Sequence, residues 1–393
     1  MELRAGYKRT EVGMIPEEWM VRSIGDVFFV EAGGDMDYSR SVIIQDERHP
    51  FPIYSNAITN RGLHGFSSYG DHPSGSITVT ARGTLGAANY RDHDFTAIGR
   101  VLVLVPKISL DGRFFAEYLN NCVSFAVEST GVPQLTAPQI SKYRVPVPPI
   151  HEQRAIAAAL SDVDALISSL DKLIAKKRDI KQAAMQQLLT GKRRLPGFCG
   201  EWVSRRIGDI SDSSSGGTPL SSVSAYYGGS IPWVSISDMT SSGKYLVMTE
   251  RSLTDEGLAA SAAKVFPAGT VLYAMYASIG ECSIAAIELC SSQAILGIRP
   301  RESCDGHYLY YWLVSKKDEV RAMGQHGTQA NLNADMVKDF RVPLPTIDEQ
   351  RAIANVLSDM DAEIEALERR RDKTRLLKQG MMQELLTGRV RLV

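Results

Sequence analysis

The side chains best suited to recognition chemistry lie in two long stretches, residues 28–145 and 211–340. In both, arginine, asparagine, glutamine, tyrosine and hydroxyl side chains stand between short apolar runs. Arginine can form two hydrogen bonds with guanine, and asparagine or glutamine with adenine, where a base pair exposes its edge in the major groove of DNA. In the first stretch the residues with this chemistry are Tyr54, Ser55, Asn56, Asn60, Arg61, Arg82, Thr84, Tyr90, Arg91 and Gln134.

The second stretch offers the same chemistry in a different order, around β-like runs at residues 231–235 and 271–276. Its candidates are Thr218, Ser235, Tyr276, Ser278, Gln293, Thr328, Gln329 and Asn331. Turn geometry alone is an alternative explanation for the asparagine and glutamine side chains. For Arg82 and Arg91, the alternative is an ion pair with a local acid such as Asp92.

The sequence lacks the motifs of common catalytic and cofactor sites. It contains no GxxxxGK[ST] phosphate loop and no glycine fingerprint for a dinucleotide after a strand. It also lacks the Asn/Asp-Pro-Pro-aromatic segment of amino-methyltransferases. Its seven histidines are scattered, and its five cysteines do not have metal-ligand spacing. We therefore expect recognition rather than catalysis, and no metal ion or cofactor bound by this chain.

The composition is that of a globular protein with more than one domain. The 393 residues are 44% hydrophobic and 23% charged, and the net charge is −1. A near-neutral chain is not suited to coating DNA non-specifically, so positive charge must be local or come from a partner. No apolar run is long enough for a membrane span, and the first residues do not resemble a secretory leader. The odd number of cysteines favours free thiols and a cytoplasmic location.

An internal duplication indicates which elements position these side chains. Residues 144–192 and 341–389 align without a gap, and both contain Glu-Gln-Arg and Leu-Leu-Thr-Gly. A weaker match upstream pairs Trp19 with Trp202. The stretches between these anchors share no pattern. We interpret the repeated segments as scaffold and the divergent segments as the parts that read different targets.

Both repeated segments are predicted to be long helices. Apolar residues recur at alternating steps of four and three, which is the heptad stripe of a coiled coil. Prolines precede each helix, and Gly191 and Gly388 occupy C-terminal cap positions. A helix of about 40 residues is roughly 60 Å long, and one with an apolar seam needs a partner. The stripe consists of Ile156, Leu160, Val163, Ile167, Leu170 and Ile174 in the first copy and Ile353, Leu357, Met360, Ile364 and Leu367 in the second.

The simplest packing partner for each helix is the other copy in the same chain. The two helices would then form an antiparallel coiled coil. A coiled coil that joins two chains is the alternative. We predict an α+β fold in which two α/β domains are joined by the two long helices, with pseudo-two-fold, circular symmetry. The boundaries are 1–146 for the first domain, 147–191 for the first helix, 192–343 for the second domain and 344–390 for the second helix.

The repeated segments resemble those of the specificity subunits of type I restriction-modification systems. The similar pieces are RVPVPPIHEQRAIAAALSDVDALI and RVPLPTIDEQRAIANVLSDMDAEI, each followed by a KQxxMQxLLTG segment. The segments ITVTARGTLGAANYR and GGTPLSSVSAYYGGSIPWVSISDM are similar to two types of target recognition domain. Tyr276 stands where that resemblance leads us to expect an arginine.

The resemblance implies a division of roles among several subunits. Each divergent domain would read one half of a split site on double-stranded DNA through the major groove, and the helices would hold the two domains apart. Two methyltransferase subunits, which bind S-adenosylmethionine and methylate adenine, would dock on the helices. Restriction subunits would add ATP- and magnesium-dependent translocation and cleavage. This chain would be the non-catalytic subunit.

Three alternatives remain open on the sequence alone. A methyltransferase or nuclease with an unrecognised site would show metal-dependent activity as a purified chain. A purely structural coiled-coil adaptor would show no sequence preference on DNA. A specificity subunit of a methylation-only complex would share every feature described above.

Overall fold

The computed structural model describes residues 5–125, 133–325 and 332–392. The chain divides into two units. Unit 1 combines Met1–Asp171 with Arg369–Val393, and unit 2 is Lys172–Glu368. Each unit contains strands, short helices and one part of each long helix. The predicted α+β fold with two long helices is therefore confirmed.

The strands of unit 1 are short. They are β1 (Tyr7–Thr10), β2 (Gly13–Pro16), β3 (Met20–Ser23), β4 (Phe28–Ala32), β5 (Ser41–Val42), β6 (Phe51–Tyr54), β7 (Leu63–Ser67), β8 (Ile77–Val79), β9 (Ala88–Tyr90), β10 (Thr96–Ala97), β11 (Leu102–Pro106) and β12 (Arg144–Val147). Its helices are α1 (Ile24–Val27), α2 (Gly112–Cys122), α3 (Ala137–Ser141), the first part of α4 (Ile150–Leu188) and the last part of α11 (Ile347–Leu385).

Two four-stranded sheets hold the polar loops of unit 1. The first has the strand order β4-β11-β8-β9 and is antiparallel throughout. The second has the order β10-β6-β7-β5, in which β10 and β6 run parallel. Strands β8 and β11 are central in the first sheet and largely buried, which agrees with their mostly apolar sequences.

The core of unit 1 packs α2 and the start of α4 against the first sheet. Asp111 caps α2 by accepting hydrogen bonds from the backbone N–H groups of the first turn. Phe114 and Phe115 of α2 are fully buried, and Phe115 lies edge-on to Phe28 of β4. The same apolar cluster includes Ile156, Leu160, Leu385 and Leu386, which come from both long helices.

Unit 2 has a similar composition of elements. Its strands are β13 (Val203–Arg206), β14 (Ser211–Ser215), β15 (Tyr227–Val234), β16 (Tyr245–Leu246), β17 (Arg251–Leu253), β18 (Val265–Phe266), β19 (Val271–Ala274), β20 (Cys282–Ala285), β21 (Leu289–Ser291), β22 (Ile295–Pro300) and β23 (Arg341–Leu344). Its helices are α5 (Ile207–Ile210), α6 (Ile236–Ser241), α7 (Asp255–Ala259), α8 (Gly306–Ser315), α9 (Lys317–Gln325), α10 (Ala334–Lys338) and most of α11 (Ile347–Leu385).

The main sheets of unit 2 have the orders β14-β22-β19-β20-β16 and β17-β15-β21-β18. The β-like runs predicted at residues 231–235 and 271–276 correspond to the end of β15 and to β19. Strand β19 is central and buried at every position. Helix α8 packs on its sheet as α2 does in unit 1, and Asp305 caps it in the same way as Asp111.

The long helices run antiparallel within each unit. In unit 1, Lys378 contacts Asp164 at 2.7 Å and Arg375 contacts Asp171 at 3.1 Å. As residue numbers rise along α4, those of its partners on α11 fall. Equivalent positions of the duplicated sequence form the pairs of unit 2, which are Lys181–Asp361 and Arg178–Glu368. The intrachain alternative is therefore the one observed.

The predicted apolar stripe is buried or half-buried at every position on both helices. Each helix is followed by a glycine with left-handed backbone geometry, Gly191 with a φ of 69° and Gly388 with a φ of 70°. Both glycines therefore act as the helix-ending residues that the sequence predicted. Within the three described ranges, no helix is long and apolar enough to cross a membrane.

Candidate nucleic-acid interface

A buried carboxylate and amide from the repeated Glu-Gln-Arg motif anchor unit 1. Glu152 is fully buried and accepts hydrogen bonds from the Trp19 indole at 2.8 Å and from Arg391 at 2.8 and 2.9 Å. The carboxylate raises the pKa of Arg391 above its usual value. Gln153 accepts a bond from the backbone of Asp111 and donates one to the carbonyl of Pro148.

The second copy of the motif anchors unit 2 with nearly the same contacts. Glu349 is fully buried and receives two bonds from Arg194, at 2.5 and 2.6 Å. Gln350 accepts from the backbone of Asp305, as Gln153 does from Asp111. The indole nitrogen of Trp202 is buried and, among the described residues, has no hydrogen-bond partner, in contrast to Trp19. The motif is therefore scaffold in both units.

One group of predicted contact residues in unit 1 meets at the segment that follows β8. The Asn56 side chain accepts a hydrogen bond from the backbone of Ala81 at 2.6 Å and donates one to the carbonyl of Arg82. Arg82 also forms an antiparallel β-bridge with Gln134. The side chains of Arg82, Thr84 and Gln134 are exposed. Asn56 thus supports this surface from within, and the other three side chains form it.

A second group lies in the connection between β6 and β7. Asn60 and Arg61 are exposed and both have left-handed backbone geometry, with φ values of 49° and 51°. Left-handed geometry costs a residue such as arginine about 1–2 kcal/mol, whereas asparagine tolerates it better because its short side chain can hydrogen-bond locally. The following Gly62 accepts bonds through its carbonyl from the backbone and hydroxyl of Ser55, at 2.8 and 3.3 Å. Ser55 therefore closes this connection.

The structure places Arg91 inside the protein, so its predicted role as a surface contact has to be revised. Its exposed fraction is 4%. The guanidinium bonds Thr78 at 2.8 and 3.1 Å and the carbonyl of Arg61 at 2.6 Å, and it stacks 3.4 Å above the ring of Tyr54. These partners replace the ion pair with Asp92 that the sequence allowed. Burial lowers the pKa of Arg91 to about 10.

Two tyrosines from the predicted set are also held by protein contacts. Tyr54 is buried beneath Arg91, and its hydroxyl lies 2.9 Å from Nε2 of His93. Tyr90 is half-buried, and the guanidinium of Arg113 lies 5.1 Å from its ring centroid. Tyr54 is therefore a supporting residue, whereas Tyr90 keeps part of its surface open.

In unit 2 the structure brings together Thr218 and Gln293. Both are exposed, and their side chains are hydrogen-bonded to each other. Ser235 caps α6 in a reciprocal capping box with Asp238, so its hydroxyl is committed to the helix start. Ser235 therefore has a structural role at this helix start, and its contact with DNA stays a prediction.

The remaining candidates of unit 2 lie in turns. Tyr276 is half-buried and packs against the main apolar cluster of the unit. The backbone carbonyl of Ser278 accepts a hydrogen bond from Glu281. Thr328, Gln329 and Asn331 lie outside the described residues.

A lysine that the sequence did not single out connects the sheets of unit 2 to α11. Lys244 donates to the hydroxyl of Tyr311 at 2.9 Å and to Ser358 at 2.8 Å. Tyr311 in turn donates to Asp361 at 2.6 Å. Burial lowers the pKa of Lys244. No local pattern could have revealed this cluster, because its members are far apart in sequence.

A family model described as the type I restriction modification DNA specificity domain matches residues 16–177 and 200–374. These two matches cover most of the chain. The chain belongs to this specificity family. The two matched segments agree with the duplication that was read from the sequence.

Two relatives from Methanocaldococcus jannaschii are specificity subunits by name. The type I restriction enzyme MjaIX specificity subunit is 31% identical over 168 residues, which is 42% of this chain and 39% of that protein. The putative MjaX specificity subunit is 23% identical over an alignment that covers 98% of this chain and 96% of that protein. The chain thus spans well under half of the first relative and nearly all of the second.

Solved structures from type I restriction-modification systems have the same fold. The S subunit of a type I restriction-modification system from M. genitalium superimposes with a TM-score of 0.63 and 14% identity, covering 98% of both chains. A second structure, whose description concerns complex assembly and conformational transition of the type I restriction-modification system, gives a TM-score of 0.60 and 19% identity. It covers 96% of this chain and 99% of that one.

The specificity fold explains why the polar loops differ between the two units while the anchors do not. Anchoring residues such as Glu152 and Glu349 recur at equivalent positions and are fully buried. The polar loops can be compared directly after β8 and β19, where Gly86 bonds the carbonyl of Thr80 and Gly280 bonds that of Ala274, and there Arg82 of unit 1 corresponds to Tyr276 of unit 2. Within the described ranges, no group of three or more histidine, cysteine, aspartate or glutamate side chains is arranged to hold a metal ion.

Proposed function

We propose that this chain is the DNA-reading subunit of a type I restriction-modification complex, and that each unit reads one half of a split double-stranded site. The observation that carries the proposal is the combination of two equivalent, buried anchor sets with different exposed polar loops. A repeated scaffold with divergent surfaces is suited to reading two different short sequences. Membership of the specificity family supports the same conclusion.

The reading surfaces are proposed to be the exposed polar loops rather than the anchors. In unit 1 they comprise Arg82, Thr84 and Gln134 together with Asn60 and Arg61. In unit 2 they include Thr218 and Gln293. On this view residues 1–146 and 192–343 are the two target recognition domains. With a net charge of −1, the chain relies on local arginines and on partner subunits for contacts with phosphate.

The helices are proposed to bind two methyltransferase subunits. Apolar side chains remain exposed on them, including Leu376 at 69% and Leu377 at 59% in unit 1, and Leu173 and Ile180 in unit 2. Exposed apolar side chains on a helix are suited to a protein interface. In this proposal the partners bind S-adenosylmethionine, restriction subunits bind ATP and magnesium, and this chain has no catalytic centre.

The test is to co-express the chain with the methyltransferase subunit from the same locus and to map methylated adenines across a genome. We expect a split motif with two short specified halves separated by a gap of fixed length. A stable complex that methylates without any motif would instead indicate a structural adaptor. Metal-dependent activity of the purified chain alone would indicate an enzyme, and either result would contradict the proposal.

A further inference from the structure

Asn60 and Arg61 form an exposed turn that the fold maintains against the backbone preference of Arg61. Two successive non-glycine residues with left-handed geometry are uncommon, because the side chain crowds the backbone there. Such geometry persists only where the surroundings enforce it, and it is concentrated at functional sites. The next residue, Gly62, also has a positive φ, and a Cβ atom there would lie 2.6 Å from the carbonyl oxygen of Ser55.

The buried guanidinium of Arg91 holds this geometry together with the bonds from Ser55 to the Gly62 carbonyl. It comes from the segment after β9 and reaches the turn through a single 2.6 Å bond to the Arg61 carbonyl. Its other bonds, to Thr78 of β8, and its stacking on Tyr54 of β6 fix it to both sheets of unit 1. Arg91 therefore ties the turn to both sheets.

The charge of Arg91 is not itself available to a ligand. The guanidinium is enclosed, and five N–H donors in a rigid plane allow it to hold a carbonyl and a hydroxyl at once. Arg61, by contrast, has an exposed side chain, while its backbone carbonyl is the atom that Arg91 holds. One arginine thus fixes the backbone from which another projects.

We propose that the Asn60–Arg61 turn reads one guanine-containing base pair of the half-site bound by unit 1, and that Arg91 is a positioning residue for it. The proposal rests on the proposed function. Arginine is the side chain that most often discriminates guanine, through paired bonds to O6 and N7 in the major groove. Fixing the backbone of Arg61 reduces the conformational freedom that such a paired contact would otherwise cost.

The experiment uses the complex co-expressed with the methyltransferase subunit and compares the methylated motif of the wild type with those of variants. Arg61→Ala should relax one specified guanine in one half of the motif, with a loss of discrimination of roughly tenfold or more. The other half and the gap should not change. Arg91→Lys keeps the charge but loses the planar donor set, and it should relax the same position to a smaller extent.

The matched control is Arg40→Lys, which changes an arginine that also lies over a tyrosine ring in unit 1 but is exposed, bonds Ser68 and is not a candidate contact residue. It should leave the motif as it is. Thermal unfolding and the yield of complex are measured for each variant, because reduced folding of Arg91→Lys would lower methylation at all sites without changing the motif.

Three results would overturn the inference. One is an unchanged motif for Arg61→Ala. Another is uniform weakening of methylation by Arg61→Ala with all positions still specified, which would make the turn a phosphate contact. The third is relaxation by Arg91→Lys at a position different from that affected by Arg61→Ala. Absence of any split motif in the wild type would contradict the proposed function instead, so the two failures are distinguishable.

Discussion

Arg91 and Glu152 are both charged side chains enclosed by protein, and the fold satisfies them in different ways. Arg91 has no carboxylate partner among its hydrogen bonds; a hydroxyl, a backbone carbonyl and a tyrosine ring surround it. Glu152 has a full ion pair with Arg391 and an indole donor. A buried charge that loses its charged partner strongly destabilises the folded protein. Substitutions at the ion pair of Glu152 and at Arg91 should therefore change the stability by different amounts.

We expect Glu152→Ala to lower the free energy of unfolding by about 2–4 kcal/mol, because the Trp19 indole loses its acceptor and Arg391 keeps only its pair with the exposed Glu18. Glu349→Ala should cost about 1 kcal/mol less, since Trp202 makes no bond to that carboxylate. The measurement is chemical denaturation of the full chain. Glu363→Ala, which breaks the half-exposed pair with Lys177, is the control and should cost under about 1 kcal/mol. Equal losses for the three variants would contradict this account.

Acidification should destabilise unit 2 through His307. Burial and the nearby Lys244 lower the pKa of His307 below its ordinary value of 6.5. The unfolded chain then binds a proton more readily than the folded one, so this histidine contributes stability above pH 6.5 that is lost as the pH falls through its folded pKa. We expect His307→Asn to reduce the drop in melting temperature between pH 7.5 and 5.5. A drop as large as that of the wild type would show that other groups dominate.

At the scale of elements, the polar residues that interrupt the apolar stripe are as informative as the stripe itself. Lys181 and Lys378 stand at equivalent places and pair with equivalent aspartates on the facing helix. Such pairs add little stability where they are exposed, but they specify the register of two helices. The antiparallel pairing is therefore encoded by charge as well as by apolar residues.

Lengthening both helices by one heptad should change the gap in the recognised site. We would insert seven residues after Asp171 and seven after Glu368, at the boundaries of the two units, so that each unit keeps its own contacts. Each helix grows by about 10 Å with nearly unchanged facing. If the helices set the gap, it should grow by about three base pairs at 3.4 Å per pair.

The readout for the heptad insertion is again the methylated motif. Inserting only two residues at each place rotates the helix by roughly 200°, and it should abolish methylation instead of moving the gap. An unchanged gap after the heptad insertion would show that the helices do not determine the spacing.

At the scale of the whole molecule, the long helices were predictable and the reading surfaces only partly so. A heptad stripe between prolines and glycines is a local pattern that repeats many times, so it seldom arises by chance. Whether an arginine is exposed depends on distant partners. Arg91 turned out to be enclosed because Thr78 and Arg61 surround it, and Lys244 was missed because its partners are on α8 and α11. Arg82 and Gln134, predicted separately, were brought together by a bridge between remote segments.

The division of the chain into units also has a consequence for how the protein is made. A ribosome finishes the whole of unit 2, Lys172–Glu368, before it starts the Arg369–Val393 segment of unit 1. Until then Glu152 lacks Arg391, and the apolar surface that Leu385 and Leu386 cover is open to water. During synthesis the segment before Lys172 thus emerges ahead of unit 2 but belongs to the unit that is completed later, and it needs protection from aggregation and proteolysis in the meantime.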